Sequence, residues 1–184
     1  MTTRYARRPA GELVEGTPEQ TPRERRLAHG VFAALRIVIG ATFFWAFLDK
    51  LFGLGYATPS AKSWIHGGSP TKGFLSGSEG PFSGFFKAIA GTGFANWSFM
   101  FALAAIGTAL LLGIGVRLAA VGGAVLYLMM WAVALPPASN PLLDEHIIGA
   151  LAVIGLALVH SGDHFGLGRW WKKQPIVRDN AWLI

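Results

Sequence analysis

Four long hydrophobic segments constrain this chain more than any other feature of its sequence. They cover about residues 31–54, 97–114, 118–135 and 146–160. A helix needs about 20 apolar residues to cross a bilayer, and it satisfies its own backbone polar groups inside lipid. The composition agrees, because 52% of the residues are hydrophobic and 14% are charged, against roughly 25% charged in a soluble domain. The sequence therefore predicts an all-α membrane protein, built as a bundle of four transmembrane helices.

The positive charges beside these segments predict the orientation of the bundle. Four spans would place both termini on one side, and Lys and Arg are enriched in cytoplasmic loops. That side carries Arg4, Arg7, Arg8, Arg23, Arg25, Arg26, Arg117, Arg169, Lys172, Lys173 and Arg178, whereas the opposite loops hold Lys62, Lys72 and Lys87. We therefore expect cytoplasmic termini in a multi-pass protein of the plasma membrane. Since the net charge of +6 lies next to hydrophobic segments, its expected partner is membrane lipid rather than nucleic acid.

The expected domain organisation has three parts. Residues 1–28 are polar and rich in proline, which is typical of a disordered tail, here basic and cytoplasmic. Residues 29–171 would form the four-helix membrane domain, and residues 172–184 a cytoplasmic C-terminal tail. The membrane domain contains a long outer loop at 55–96, where Phe82, Phe85, Phe86 and Ile89 recur at helical spacing and predict a short amphipathic helix. This loop has two interpretations: it packs on the helix ends, or it covers a binding site.

Ionisable residues within or beside the spans are candidates for function, because lipid makes them costly. Distance along the helices divides them into two layers. We expect an inner layer that combines Arg36 with His160, Asp163 and His164, and an outer layer that combines Asp49 and Lys50 with Asp144, Glu145 and His146. The alternative is structural, since Lys and Arg can snorkel to the interface and a terminal His can cap a helix. For Arg36 the structural alternative is a buried ion pair with Asp163.

The sequence limits the chemistry of such sites. The chain has no cysteine, which excludes disulfides, thiolate metal sites and a persulfide mechanism within it. No phosphate-binding glycine loop or dinucleotide fingerprint is present, and Asp144, Glu145 and His146 are nearly adjacent, which disfavours a metal site. Aromatic and polar groups that could hold a quinone remain. The residues assigned to substrate or quinone binding are Arg36, Trp64, Asp144, Glu145 and His160.

Several stretches resemble the DoxX/DoxD family of membrane proteins. They are the first helix with its Asp-Lys-Leu-Phe-Gly end (35–53), the loop Trp-Ile-His-Gly-Gly-Ser-Pro-Thr-Lys-Gly-Phe-Leu (64–75), and the segments 135–146 and 166–171. These motifs resemble the version found in thiosulfate:quinone oxidoreductase large subunits. The similarity runs over about residues 31–184. The resemblance implies a four-helix membrane bundle that passes electrons from a sulfur compound, such as thiosulfate, to membrane quinone together with a small partner subunit.

In that function Lys50 would attract the anionic sulfur substrate, and Asp49 or His146 would pass protons. These three residues are the expected catalytic groups. A second class of function stays open, in which the chain is a non-catalytic membrane scaffold that recruits soluble redox or stress-defence enzymes. Assembly into a homo-oligomer is also left open by the sequence.

Overall fold

The computed structural model describes residues 21–138 and 140–183, and within them the chain forms helices and loops without a β-strand. The α-helices are α1 (Pro22–Phe52), α2 (Lys72–Ser76), α3 (Ser83–Ile89), α4 (Gly93–Leu112), α5 (Val116–Ala134), α6 (Glu145–Leu158), α7 (Gly168–Trp171) and α8 (Pro175–Arg178). Short 3-10 turns cover Ser60–Lys62, Trp64–His66, Ser161–Asp163 and Ala181–Leu183. The predicted all-helical class is therefore confirmed.

Three helices have the length and composition needed to cross a membrane. They are α1, α4 and α5, with 31, 20 and 19 residues. The fourth predicted span corresponds to α6, an apolar helix of 14 residues, which is about 21 Å long at 1.5 Å per residue. Because a bilayer core is about 30 Å thick, α6 is shorter than an ordinary span, and its crossing stays a prediction.

Helix α1 begins inside the stretch that was predicted to be a disordered tail. Thr21 accepts a hydrogen bond from the amide of Glu24, the Glu24 carboxylate accepts one from the amide of Thr21, and Pro22 occupies the first helical position. This capping box satisfies two backbone donors that a helix start leaves free. The prediction of disorder is therefore wrong for residues 22–28, while residues 1–20 lie outside the described residues.

The helices pack as two close pairs, α1 with α4 and α5 with α6, joined by contacts between α4 and α5. Glycine makes the first pair close. A Cβ on Gly107 would lie 2.6 Å from the backbone nitrogen of Phe44, and a Cβ on Gly40 would lie 2.8 Å from that of Leu111. Small residues are typical where helices approach closely in membranes. Between the pairs lies a core that includes Phe43, Leu103, Ile106, Leu126, Val153 and Leu156.

The C-terminal residues fold against the end of the bundle, where a tail was predicted for 172–184. Val177 in α8 is fully buried, and the Trp171 indole donates a hydrogen bond of 2.7 Å to the carbonyl of Leu183. Apolar residues within the polar segment explain this difference, because they bury surface at the ends of the membrane helices.

Candidate functional site

A cavity lies between α4, α5 and the outer loop. Its volume is about 360 Å³, within the range of about 300–1,000 Å³ that is usual for small-molecule sites. The walls are almost entirely apolar. Helix α4 contributes Ala95, Phe99 and Ala102, helix α5 contributes Leu126, Met129, Met130 and Val133, and the outer loop contributes Pro70, Phe74, Leu75, Phe86 and Ile89.

The outer loop forms the roof of this cavity through α2 and α3. The predicted amphipathic helix is confirmed as α3, in which Phe86 is buried and Phe85 is exposed. Phe86 and Ile89 of α3 face the cavity together with Phe74 and Leu75 of α2. The loop therefore packs on a helix end, through Trp64 and Trp97, and also covers a cavity. That this cavity is a binding site stays a prediction.

Few polar side chains reach the cavity, namely those of Lys50, Thr71 and Ser98. The Lys50 ammonium lies 6.0 Å from the centroid of the Phe99 ring, which is the outer limit of a cation–π contact. Among the described residues, Lys50 has no hydrogen bond or ion pair to an acidic group. A half-buried lysine facing an apolar space is therefore available to an anion or a carbonyl oxygen of a ligand.

The end of α1 explains why Lys50 takes this position. Asp49 is 2% exposed, and its carboxylate accepts hydrogen bonds from the amides of Tyr56 at 3.3 Å and Ala57 at 3.1 Å. Gly53 ends the helix with a φ of 69°, a conformation that glycine adopts without strain. The Asp-Lys-Leu-Phe-Gly motif thus folds the chain back at the helix end: Asp49 holds the turn, and Lys50 lines the cavity.

Asn96, in the first turn of α4, connects the roof to the helix bundle. Its side-chain oxygen accepts hydrogen bonds from the Thr71 hydroxyl at 2.7 Å and the Ser69 hydroxyl at 2.9 Å. Its amide group donates to the carbonyl of Gly91 at 3.3 Å. Sequence reasoning missed this residue. The available signal was an amide at the start of an apolar helix, preceded by the conspicuous Gly-Gly-Ser-Pro-Thr-Lys stretch.

The 144–146 segment has a local structural role. Asp144 caps α6 by accepting hydrogen bonds from the amides of His146 and Ile147, and it bonds the His146 ring at 2.7 Å. Burial raises the pKa of Asp144, but the hydrogen bonds and the charge of His146 outweigh it, so the pKa lies below its ordinary value. Ligand atoms of Asp144, Glu145 and His146 lie within 4.8 Å of one another.

The predicted outer layer stays a prediction, because its groups bond within their own segments. In the described residues, no hydrogen bond or ion pair joins Asp49 or Lys50 to the 144–146 segment. The physical reason is local: the carboxylates of Asp49 and Asp144 each satisfy backbone amides at the end of their own helix. The ring of His146 instead lies 6.3 Å from that of Tyr127.

Arg36 lies at the opposite end of the bundle and is fully buried. Its guanidinium donates to the carbonyls of Leu110 and Leu111 at the end of α4, and to those of His164 and Phe165 after α6. The expected ion pair with Asp163 is wrong, because Asp163 pairs with Lys172 at 2.6 Å.

The carbonyls at the end of α4 explain this choice of partner. The last four carbonyls of a helix have no partner within it. Here Ala109 accepts from the amide of Gly113, Leu112 accepts from the amide of Leu167, and Arg36 supplies donors for the remaining two. The partial negative charge of a helix C-terminus also favours a cation there. Arg36 is thus a structural clamp between α1, α4 and the chain after α6.

The inner layer also contains two histidines in separate contacts. The ring of His164 stacks on that of His29 with a centroid distance of 4.2 Å. The His160 ring nitrogen lies 3.4 Å from the Arg117 guanidinium. Burial, together with the nearby charges of His29 and Arg169, lowers the pKa of His164, and Asp163 opposes this shift.

The assigned site residues therefore divide by location. Lys50 lines the cavity, whereas Arg36 and His160 lie at the other end of the bundle, and Asp144, Glu145 and His146 lie at the start of α6. Trp64 packs edge-on against Trp97 of α4, with ring centroids 4.6 Å apart, and it supports the loop without lining the cavity.

Comparison with protein families matches residues 32–184 to the family described as "TQO small subunit DoxD". The match covers most of the chain and agrees with the DoxX/DoxD resemblance. It names the small subunit, so the resemblance to the large subunit is not confirmed. No curated protein and no solved structure matches the chain.

Proposed function

Since the chain belongs to the DoxD family of thiosulfate:quinone oxidoreductase small subunits, we propose that it is the quinone-binding membrane subunit of such an enzyme. The observation that carries this proposal is the apolar cavity of about 360 Å³ with Lys50 on its wall. A membrane quinone has an apolar tail and a ring with two carbonyl oxygens, and these features match an apolar cavity with one cationic donor. The family name and the cavity thus support the same ligand class.

Each part of the cavity has a role in this proposal. The Lys50 ammonium donates a hydrogen bond to a ring carbonyl, because it has no acidic partner in the described residues. Phe99 and Met130 contact the ring, and the exposed residues Phe94, Val125 and Met129 form the side from which the tail reaches lipid. Bound quinone would supply the electron acceptor. Thiol chemistry on the sulfur compound requires another chain, since this one has no cysteine.

The membrane topology belongs to the same proposal. Helix α6 crosses as a fourth span, and local bilayer thinning compensates for its short length. Both termini then face the cytoplasm. The membrane is a plasma membrane that contains quinone. The absence of native cysteines makes the test direct. Cysteines introduced at Gly73 and Lys173 should react with an impermeant maleimide from opposite sides. Labelling from the same side would mean that α6 does not cross.

Quinone binding is tested by titrating the purified full-length protein in nanodiscs with a short-chain benzoquinone and a short-chain naphthoquinone. Ala102→Phe places a ring in the cavity and should weaken binding about tenfold or more. Lys50→Met keeps the length of the side chain but removes the donor. A hydrogen bond to a charged group contributes about 1.5–3 kcal/mol, so binding should again weaken at least about tenfold.

The matched control is Ala105→Phe, because Ala105 is exposed on the same helix and does not line the cavity. This variant should bind quinone like the native protein. If the native protein binds neither quinone, or if all three variants bind equally, the cavity is not a quinone site. The first of these results would favour the alternative function, a scaffold that recruits soluble redox or stress-defence enzymes.

A further inference from the structure

A single side chain, Asn96, lies at the neck of the loop that carries the cavity roof. Besides the Ser69 and Thr71 hydroxyls, the Asn96 oxygen accepts a hydrogen bond from the Thr71 amide at 3.3 Å. On its other side the Asn96 amide group donates to the carbonyl of Gly91 at 3.3 Å. Asn96 therefore contacts the chain both where it enters the α2–α3 segment and where it leaves it.

Two further hydrogen bonds close this neck. The Thr71 hydroxyl accepts from the amide of Gly91 at 3.4 Å, and the Ser69 hydroxyl accepts from the amide of Lys72 at 3.2 Å, at the start of α2. Thr71 is 5% exposed. A buried group that bonds both ends of a loop restricts the loop as a whole, because neither end can move without leaving a polar atom unsatisfied.

The roof residues all depend on this neck. Pro70 and Thr71 lie in it, and Phe74, Leu75, Phe86 and Ile89 lie on the loop that it closes. Among the described residues, the other hydrogen bonds of 72–90 lie within residues 71–90, apart from those that the amide and hydroxyl of Thr92, the N-cap of α4, donate to the carbonyl of Ile89. The rigid end of α4 therefore sets the height of the roof through Asn96.

We propose that Asn96 is a positioning residue that holds the roof over the cavity and thereby sets how tightly and for how long a ligand is retained. The identity of that ligand rests on the function proposed above. The role of Asn96 in fixing the roof does not. An amide fits this role because it accepts on one atom and donates on the other. It can therefore bond the hydroxyl donors of one chain segment and the carbonyl acceptor of the other.

The proposal is tested with spin labels on introduced cysteines at Gly73 in the roof and Ala105 in α4. A Cβ at Gly73 meets nothing within 4 Å, and Ala105 is exposed, so both positions accept a label. The native side chain at 96 should give a narrow distribution of label distances. Asn96→Leu, which keeps the volume but removes all four hydrogen bonds, should broaden it, speed quinone release and weaken quinone binding about tenfold.

Asn96→Asp is the matched control, because it keeps the accepting oxygen for Ser69 and Thr71, while its second oxygen faces the carbonyl of Gly91 in place of the donor. It should keep a narrower distance distribution and tighter binding than Asn96→Leu. Thr71→Val removes the partner hydroxyl, and its effect should not add to that of Asn96→Leu, because both changes break the same contact.

The outcomes separate the two proposals. A native distance distribution in Asn96→Leu would overturn the role of Asn96. If the native protein binds quinone, broadening without any change in quinone affinity or release would overturn it as well. A native protein that binds no quinone, but whose roof distances broaden in Asn96→Leu, would overturn the quinone proposal and support Asn96 as the residue that fixes the roof.

Discussion

Replacing Arg36 tests whether this buried cation holds the inner end of the bundle together. The change is Arg36→Met, which keeps an unbranched side chain of similar reach and removes the charge and all donors. The carbonyls of Leu110 and Leu111 at the end of α4 would then lose their partners, as would those of His164 and Phe165. Phe165 is 80% exposed, so water can replace the lost bond there.

The α4 carbonyls determine the magnitude. A buried polar group without a partner costs about 1–3 kcal/mol, and two such groups give a destabilisation of about 2–6 kcal/mol. Removing a buried charge also removes its desolvation penalty, which favours the lower half of this range. Arg36→Lys keeps the charge but has one nitrogen in place of a planar fork, so it should recover only part of the loss.

The measurement is the unfolding of each variant in detergent, followed by tryptophan fluorescence and by melting temperature. Asp163→Ala provides the control, because its partner is Lys172 at the partly exposed end of the bundle. Exposed ion pairs contribute about 0–1 kcal/mol, so this change should matter little and should add to Arg36→Met. Native stability in Arg36→Met, or rescue of Arg36→Met by Asp163→Ala, would refute the assignment of Arg36 to the helix carbonyls.

Two further predictions concern the helix contact and the inner histidines. Gly107→Ala should destabilise the protein by about 1–3 kcal/mol in the same assay, because its Cβ would lie 2.6 Å from the backbone of α1. Gly155→Ala should leave the stability unchanged, because its Cβ meets nothing within 4 Å. Equal destabilisation by the two changes would contradict the close contact at Gly107. The pKa of His164 is lowered from 6.5, mainly by burial. The unfolded state therefore binds the proton first, and stability should fall as the pH falls below about 6.5. His164→Gln should flatten this pH dependence of stability. An unchanged pH profile in that variant would contradict the assignment to His164.

Much of the fold could be predicted from the sequence, because the physical signals are local. A bilayer requires long apolar helices, and α1, α4 and α5 are visible in the sequence as long runs of apolar residues. The helical spacing of Phe82, Phe85, Phe86 and Ile89 likewise predicted α3, since an amphipathic face depends only on residues within two turns. The start of α1 was also encoded locally, in Thr-Pro-Arg-Glu, although the proline-rich tail obscured it.

The candidate site depended on tertiary structure, because polar groups choose partners by distance and geometry rather than by type. Arg36 and Asp163 have complementary charges and similar depth, yet the unpaired carbonyls at the end of α4 lie closer to the guanidinium and need its donors more. Asp49 and Lys50 are neighbours in sequence, but the turn after α1 takes the carboxylate and leaves the ammonium at the cavity. Asn96 gave almost no signal, because the partners that define its role lie 25 and 27 residues earlier in the chain. The sequence by itself determined a helical membrane protein, and only the packing of α4, α5 and the outer loop decided that it contains a roofed cavity.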